Sequence, residues 1–149
     1  AANSRLAAQL RDAAEREMPI YGECGGLVWL GRTLRTQDGV EYPMSGVLPI
    51  GITMDPRHLA IRYVELTTRA DSLLGKRGTV LRGQEFHQSR ITATSIPADF
   101  YAVRTSDGQQ LRAGYQHRRV VASYMHAYFA GQDSTVADHF VDTASRWRA

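Results

Sequence analysis

Cysteine is nearly absent from this sequence, since Cys24 is the only one among 149 residues. A single sulfur excludes an internal disulfide framework, which needs cysteines in pairs, and a thiolate-rich zinc site, which needs several. We expect no metal site in this chain. The one thiol is therefore left without a structural partner and needs another explanation.

The sequence also lacks a block of basic residues and a long apolar run. The net charge is +3, but arginines alternate with acidic residues along the chain, which does not favour nucleic-acid binding. No stretch approaches the roughly 18 apolar residues of a membrane span. The first residues lack the apolar middle of a secretory signal. We therefore expect a cytoplasmic protein that binds neither nucleic acid nor membranes.

The length and composition fit one globular domain, with 43% hydrophobic and 22% charged residues. Apolar residues at helical spacing predict helices at both ends of the chain, and β-branched and aromatic runs predict strands between them. Closely spaced glycines and prolines over 32–55 predict loops and short extended pieces. The first predicted helix covers 1–17, with the apolar stripe Leu6, Leu10, Ala13 and Ala14. The last covers 133–147, with Asp133 or Ser134 as its cap and the apolar stripe Val136, Phe140, Val141 and Ala144. The predicted strands cover 61–66, 85–94, 100–104 and 119–125. The pattern indicates one compact α/β unit.

Small residues surround the cysteine in the segment Gly22-Glu23-Cys24-Gly25-Gly26. A nucleophile on a sharp strand-to-helix turn needs such neighbours, because the strained backbone brings adjacent positions close together. A helix that begins near Gly25 would favour a thiolate on Cys24, and the Gly25 N–H could donate to an oxyanion. A small buried cysteine is the alternative, but glycines on both sides favour a reactive one.

A cysteine nucleophile needs a base that takes its proton, and five histidines compete for that role. His126 ends the strand predicted over 119–125, and sites in α/β sheets assemble at the carboxyl ends of parallel strands. We therefore expect His126 to be the base. His87 lies two residues after Glu85, so both side chains project from one strand face and could form an acid–imidazole pair. An ordinary half-buried strand face explains that pattern nearly as well, so His87 is a candidate for substrate contact or for support of the site.

Four sequence blocks carry a family resemblance. They are PIYGECGGL (19–27), YPMSGVLP (42–49), GQEFHQS (83–89) and ASYMHAYF (122–129). In this order they resemble the glutaminase domains of the cobyrinate a,c-diamide synthase family. Hydrogenobyrinate a,c-diamide synthases share these motifs, whereas the elbow of cobyric acid synthases typically lacks the glutamate that is Glu23 here.

The resemblance implies an α/β fold of the flavodoxin-like class I glutamine amidotransferase type, with a sheet flanked by helices. It implies that Cys24 forms a γ-glutamyl thioester with glutamine and that His126 acts as the base while ammonia is released. The remaining candidate site residues are the elbow glycines Gly22, Gly25 and Gly26 and the supporting side chains Glu23, Glu85 and His87.

Members of this family carry an N-terminal ATP-binding, P-loop-type synthetase domain that activates the a and c carboxylates of a corrinoid with ATP and Mg²⁺. The sequence contains no Gly-x-x-x-x-Gly-Lys-Ser/Thr motif, and Lys76 is its only lysine. The resemblance therefore assigns ATP and Mg²⁺ to a synthetase domain that is absent from this chain, and no cofactor to the chain itself. The expected partners are glutamine, the corrinoid and that domain, and a homodimer is left open.

The resemblance also places the start of this chain partway through the glutaminase domain. Family domains begin with strands and a Gly-rich loop that supplies a second oxyanion N–H. We therefore expect residues 1–149 to be the C-terminal portion of the domain, without its N-terminal strands and with weak or no activity alone.

Tyr128 departs from the pattern of many class I amidotransferases, which place an orienting glutamate two residues after the catalytic histidine. The resembling branch commonly works with a Cys–His dyad, and Glu85 is a candidate to orient an imidazole from elsewhere in the sheet. Two alternatives stay open. One is a related amidotransferase for another tetrapyrrole or acid (hydrogenobyrinate, a nickel-sirohydrochlorin, or a cobyric acid synthase-type substrate), and the other is a catalytically silent module of the same fold.

Overall fold

The computed structural model describes residues 3–130 and 135–147. Within these ranges the chain forms three helices and twelve strands. In chain order they are α1 (Ser4–Glu15), β1 (Ile20–Glu23), α2 (Gly25–Leu30), β2 (Thr33–Arg35), β3 (Glu41–Pro43), β4 (Ile50–Met54), β5 (Ala60–Thr68), β6 (Val80–His87), β7 (Ser89–Thr94), β8 (Tyr101–Thr105), β9 (Gln110–Ala113), β10 (Tyr115–His117), β11 (Val120–Ser123), β12 (Met125–Tyr128) and α3 (Thr135–Arg146).

The described strands form three sheets. Their strand orders are β1-β11-β10, β12-β6-β5-β8-β9 and β3-β2-β4-β7. Most neighbours are antiparallel, and the two parallel pairs are β1 with β11 and β2 with β4. Strands and helices are thus combined in one α/β unit in which antiparallel pairing predominates.

The pairing of β1 with β11 positions the segments that carry the candidate nucleophile and base. Its register joins Ile20 to Val120 and runs in step to Glu23 and Ser123. The Cys24 N–H then donates to the Ser123 carbonyl at 2.9 Å, one residue beyond the ladder. Because the two strands are parallel, the residues that follow them leave the sheet at the same end.

Two strands that the sequence predicts as continuous are each divided by one residue. The predicted strand 85–94 is broken at Gln88, between β6 and β7, and the predicted strand 119–125 is broken at Tyr124, between β11 and β12. In each case the two parts belong to different sheets. The Ser123 hydroxyl explains the second break, since its Oγ lies 3.1 Å from the Met125 N–H and competes with ladder bonding. His126 therefore lies within β12 and does not end the preceding strand.

Strand β11 lies between two apolar clusters that form the core. Val121 belongs to the cluster beneath the five-stranded sheet, with Leu66 and Tyr101. Val120 and Ala122 belong to the other cluster, which surrounds α2 and β4. All four residues of β11 are buried, as expected for a strand covered on both faces.

Both terminal helices bury narrower faces than the sequence predicts. In α1 the buried residues are alanines, among them Ala7 and Ala14, whereas Leu6 is 46% exposed. In α3 Val136 is buried and Phe140 packs against the core, whereas Val141 is 66% exposed. Leu10 and Phe140 of the predicted stripes pack against the core, whereas Leu6 and Val141 turn outward. The predicted caps of α3 lie outside the described residues.

We predict that Gly83→Ala destabilises the ladder that holds β12. Gly83 pairs with Ala127, and a Cβ at Gly83 would lie 2.3 Å from the His126 carbonyl oxygen, a backbone atom that cannot move without the strand. The expected loss in urea unfolding is about 1–3 kcal/mol. Gly51→Ala is the matched strand control, because its Cβ would meet nothing closer than 3.4 Å. Equal effects of the two substitutions would contradict the prediction.

Candidate active site

Cys24 occupies a strained turn between β1 and α2. Its φ of 46° and ψ of −102° are unusual for a residue with a side chain. The turn is tight enough that a Cβ on Gly22 would lie 2.6 Å from Leu30 Cδ1 and 3.1 Å from the Gly26 backbone carbon. Gly22 is thus required by space, as the predicted nucleophile elbow demands.

The two glycines after the cysteine are not required by lack of space. Added Cβ atoms at Gly25 and Gly26 would meet nothing within 4 Å. The prediction that small side chains are needed on both sides of Cys24 therefore holds before the cysteine but not after it. Gly25 is the first residue of α2, where backbone N–H groups have no acceptor within the helix, so its amide suits an oxyanion donor.

The Cys24 thiol points toward the neighbouring five-stranded sheet. Its Sγ donates to the Phe86 carbonyl at 3.7 Å. Phe86 precedes the last residue of β6, and β6 pairs with β12, the strand that carries His126. The structure therefore brings Cys24, the predicted nucleophile, close to the strand that carries His126, the predicted base. The two residues are 102 positions apart in the sequence.

Glu23 connects the strand before the cysteine to the strand of His126. The Tyr21 hydroxyl and the Ala127 N–H both donate to Glu23 Oε1, each at 2.8 Å. The other carboxylate oxygen, Oε2, lies 3.5 Å from His126 Nδ1. The His126 side chain is 40% exposed and that of Glu23 is 27% exposed. The carboxylate is thus held at one oxygen and faces the imidazole with the other.

Glu85 forms its predicted pair with His87, on the opposite face of β6 from the residues that neighbour His126. His87 Nε2 lies 2.7 Å from Glu85 Oε1, and Arg62 Nε lies 2.5 Å from Glu85 Oε2. His126 instead faces Gln84 across the ladder. The hypothesis that Glu85 orients an imidazole thus applies to His87 and not to His126.

The His87 ring is buried and stacks on Tyr124, with ring centroids 3.6 Å apart. Its Nδ1 lies 2.8 Å from the Ser89 carbonyl, and the Ser89 hydroxyl donates to the Tyr124 hydroxyl at 2.9 Å. Burial raises the pKa of Tyr124 to about 12, so its phenol stays protonated. The arrangement suits support of the site, since Tyr124 follows Ser123, the residue bonded to the Cys24 backbone.

Burial alone would raise the pKa of Glu85, but the hydrogen bond with His87 and the charge of Arg62 outweigh it. The pKa of Glu85 therefore lies below its ordinary value of 4.5. The carboxylate stays ionised in the core, where an unpaired charge would be costly. Arg62 is half-buried beside it and completes the network of Glu85 and His87.

His126 also lines an open cavity of about 730 Å³ on the outer face of the five-stranded sheet. Tyr63, Gln84 and His126 form one row across β5, β6 and β12. Tyr63 is itself exposed, and further exposed apolar side chains flank this row, namely Ile61, Phe86 and Tyr128. The candidate base is therefore open to this face, whereas His87 lies beneath it.

Sequence reasoning missed three residues of this site. Tyr21 holds Glu23, Tyr124 covers His87, and Arg62 neutralises Glu85. Tyr21 and Tyr124 lie inside two of the quoted sequence blocks, so their position next to the candidate site residues was a usable signal. Arg62 carried none, because its role depends on the register between β5 and β6.

The CobB/CobQ-like glutamine amidotransferase domain family matches residues 1–134. The chain belongs to this family. It is therefore a glutamine amidotransferase domain, as the four sequence blocks predict.

The relatives of this amidotransferase domain include several cobyrinate a,c-diamide synthases. The chain is 36% identical to that of Streptococcus sanguinis, over 92% of this chain and 30% of the relative. It is 34% identical to that of Salmonella typhimurium, over 98% of this chain and 32% of the relative. The chain of Caldanaerobacter subterraneus is 33% identical over 83% of this chain and 27% of the relative. The amidotransferase domain thus spans about a third of the length of these relatives.

A crystal structure of a glutamine amidotransferase has the same fold. The TM-score is 0.58 at 19% sequence identity, and the match covers 93% of this chain and 68% of the other. The flavodoxin-like class I amidotransferase fold expected from the sequence is therefore present. The substantial antiparallel content of the described sheets is a feature that the sequence did not predict.

Over 3–130 and 135–147, no three His, Cys, Asp or Glu side chains are grouped as a metal ion would require. In the same part of the amidotransferase domain, no helix combines the length and the apolar character needed to cross a membrane.

We predict that Gly22→Ala disturbs the elbow and Gly26→Ala does not. A methyl group introduced at position 22 would press against Leu30 and the backbone of Gly26, whereas a methyl group at position 26 would meet nothing within 4 Å. We expect Gly22→Ala to cost about 1–3 kcal/mol of stability and to slow alkylation of Cys24 by iodoacetamide. Gly26→Ala should be neutral or stabilise α2 by up to about 1 kcal/mol. Similar losses in both variants would mean that the elbow does not depend on the close approach at Gly22.

A second prediction concerns the pH dependence of stability. Because folding lowers the pKa of Glu85, the ionised carboxylate stabilises the folded state above pH 4.5. This stabilisation is lost as the pH falls below that value. Glu85→Gln should therefore cost about 1–3 kcal/mol near neutral pH, and the deficit should shrink on acidification below 4.5. Urea unfolding over this pH range measures both.

The control for that experiment is Glu65→Gln. Glu65 pairs with Arg104 at 2.8 Å on a more exposed part of the same sheet, so we expect a loss below about 1 kcal/mol. A deficit of Glu85→Gln that stays constant or grows toward acid pH would contradict the assignment.

Proposed function

We propose that this amidotransferase domain hydrolyses glutamine and supplies ammonia to a larger ligase that amidates the a and c carboxylates of cobyrinic acid. The observation that carries the proposal is the parallel pairing of β1 with β11. It places Cys24, on its strained turn, beside the segment that leads to His126. A thiol and an imidazole that converge from two strands are the groups that amide hydrolysis through a covalent intermediate needs.

In the first step the Cys24 sulfur attacks the side-chain carbonyl carbon of glutamine. A C–S bond forms, and the carbonyl oxygen becomes an oxyanion that the Gly25 N–H stabilises. His126 takes the thiol proton and passes it to the side-chain nitrogen. The C–N bond then breaks, ammonia leaves, and a γ-glutamyl thioester stays on Cys24.

In the second step water attacks the thioester carbon. His126 accepts a proton from the water, the C–S bond breaks, and the proton returns to the sulfur as glutamate leaves. The two steps consume one glutamine and one water and give one glutamate and one ammonia, with the enzyme unchanged. No metal or cofactor is needed in this domain for either step.

The remaining two thirds of the relatives' length is the basis for the partner that we propose. The cobyrinate a,c-diamide synthases of these three organisms match this chain over only 27–32% of their own length. We propose that an ATP-binding synthetase domain in the same polypeptide uses ATP and Mg²⁺ to activate the corrinoid carboxylates, which ammonia then converts into amides. A related tetrapyrrole acid, such as hydrogenobyrinate, is the alternative acceptor, since the glutaminase chemistry is the same.

The experiment uses the full-length protein and supplies nitrogen either as glutamine or as an ammonium salt. We expect Cys24→Ser and His126→Ala to lower glutamine-supported amidation of cobyrinic acid by about a thousand-fold or more. Ammonium-supported amidation should persist, because it bypasses the thioester. Product formation is followed by chromatography of the corrinoid.

His117→Ala is the matched histidine control. His117 lies on β10 and is exposed, so both nitrogen sources should support normal rates. Glutamine-supported amidation that survives Cys24→Ser would refute the proposal. A wild-type protein that uses ammonium but never glutamine would identify the domain as a silent module.

A further inference from the structure

We infer that Glu23 is the carboxylate that orients His126. Many class I amidotransferases place an orienting glutamate two residues after the catalytic histidine, where this chain has Tyr128. The inference rests on the proposed glutaminase function and adds a positioning residue to it. Its basis is that one carboxylate oxygen of Glu23 accepts hydrogen bonds from Tyr21 and Ala127, whereas the other faces the imidazole of His126.

The first oxygen of Glu23 is fixed by two donors. Oε1 accepts from the Tyr21 hydroxyl and from the Ala127 N–H, both at 2.8 Å. The Tyr21 donor precedes Glu23 on β1, and the Ala127 donor follows His126 on β12. Burial, together with neighbouring Tyr101 and Glu23, raises the pKa of Tyr21 above its ordinary value of 10.0, so the phenol keeps its proton.

The second oxygen is thereby aimed at the ring. Glu23 Oε2 lies 3.5 Å from His126 Nδ1, which is within ion-pair range and longer than a hydrogen bond. Such contacts often tighten when substrate binds. A carboxylate in this position favours a proton on Nδ1 and stabilises the imidazolium that forms during the reaction. Nε2 is then the nitrogen left to accept the Cys24 proton.

Neither Glu85 nor the residue at position 128 fills this role. Glu85 is paired with His87 and Arg62 on the opposite face of β6. Tyr128 has no carboxylate, and its side chain is exposed. Glu23 is also adjacent to the nucleophile in sequence, so one short segment, Glu23-Cys24, supplies both the attacking sulfur and the group that orients the base.

The isosteric substitution Glu23→Gln gives a sharp test because both donors at Oε1 select the orientation of the new amide. The amide oxygen must accept from Tyr21 and Ala127, so the amide NH₂ takes the place of Oε2 and points a donor at His126 Nδ1. That contact favours the tautomer with its proton on Nε2, which cannot accept the Cys24 proton there. Glu23→Ala removes the orientation but does not impose the wrong tautomer.

We therefore expect kcat for glutamine hydrolysis by the full-length protein to fall about 100-fold or more in Glu23→Gln and about 10-fold in Glu23→Ala. KM for glutamine should change less than about threefold. Tyr21→Phe, which removes one of the two donors, should give a smaller loss than either. Glu41→Gln, an exposed carboxylate on β3, is the control with unchanged rates.

A purely structural role for Glu23 would give the reverse order, because Gln preserves shape and Ala does not. That order, or a kcat of Glu23→Gln close to wild type, would overturn the inference. The proposed function is tested separately by the wild-type protein: glutamine hydrolysis that depends on Cys24 with no effect of Glu23→Gln removes the positioning role alone. Loss of ammonium-supported amidation in the Glu23 variants would also count against it, since that reaction does not use His126.

Discussion

The structure depends on the parallel pairing of two short strands, β1 and β11. Four residue pairs in register fix where each strand ends, and one further hydrogen bond ties the Cys24 backbone to Ser123. All four residues of β11 are buried between the two halves of the core, so this register cannot slip without exposing Val121 or Val120. The turn that carries the thiol and the strand that carries His126 both begin from this fixed point.

Two different environments surround the Cys24 thiol. On the inner side, Glu85, His87 and Arg62 form a charged network that is closed by the stacked Tyr124 ring. On the outer side, His126 borders an open face with exposed apolar side chains. A buried network holds its geometry because breaking any contact leaves a polar group unpaired. The rigid side therefore supports the turn, and the open side gives access to His126, the candidate base.

The sequence was most informative where chemistry and backbone strain constrain residue type. The turn around Cys24, its need for Gly22 and the pairing of Glu85 with His87 follow from spacing within a few residues. The breaks at Gln88 and Tyr124 could not be predicted, because each strand continues in β-favouring residues and changes sheet only through tertiary contacts. The exposed Leu6 and Val141 have the same origin, since helical spacing defines a stripe but not which part of it meets the core. The contact of Glu23 with Ala127 joins positions 104 residues apart, and no local pattern encodes it.

We propose that Cys24 carries a γ-glutamyl group during turnover. Peptide mass spectrometry of the full-length protein, quenched in acid while it hydrolyses glutamine, detects such a group directly. We expect a γ-glutamyl adduct on the peptide that contains Cys24 and none in Cys24→Ser, which should also release no ammonia. An adduct on another residue, or ammonia release by Cys24→Ser at the wild-type rate, would contradict it.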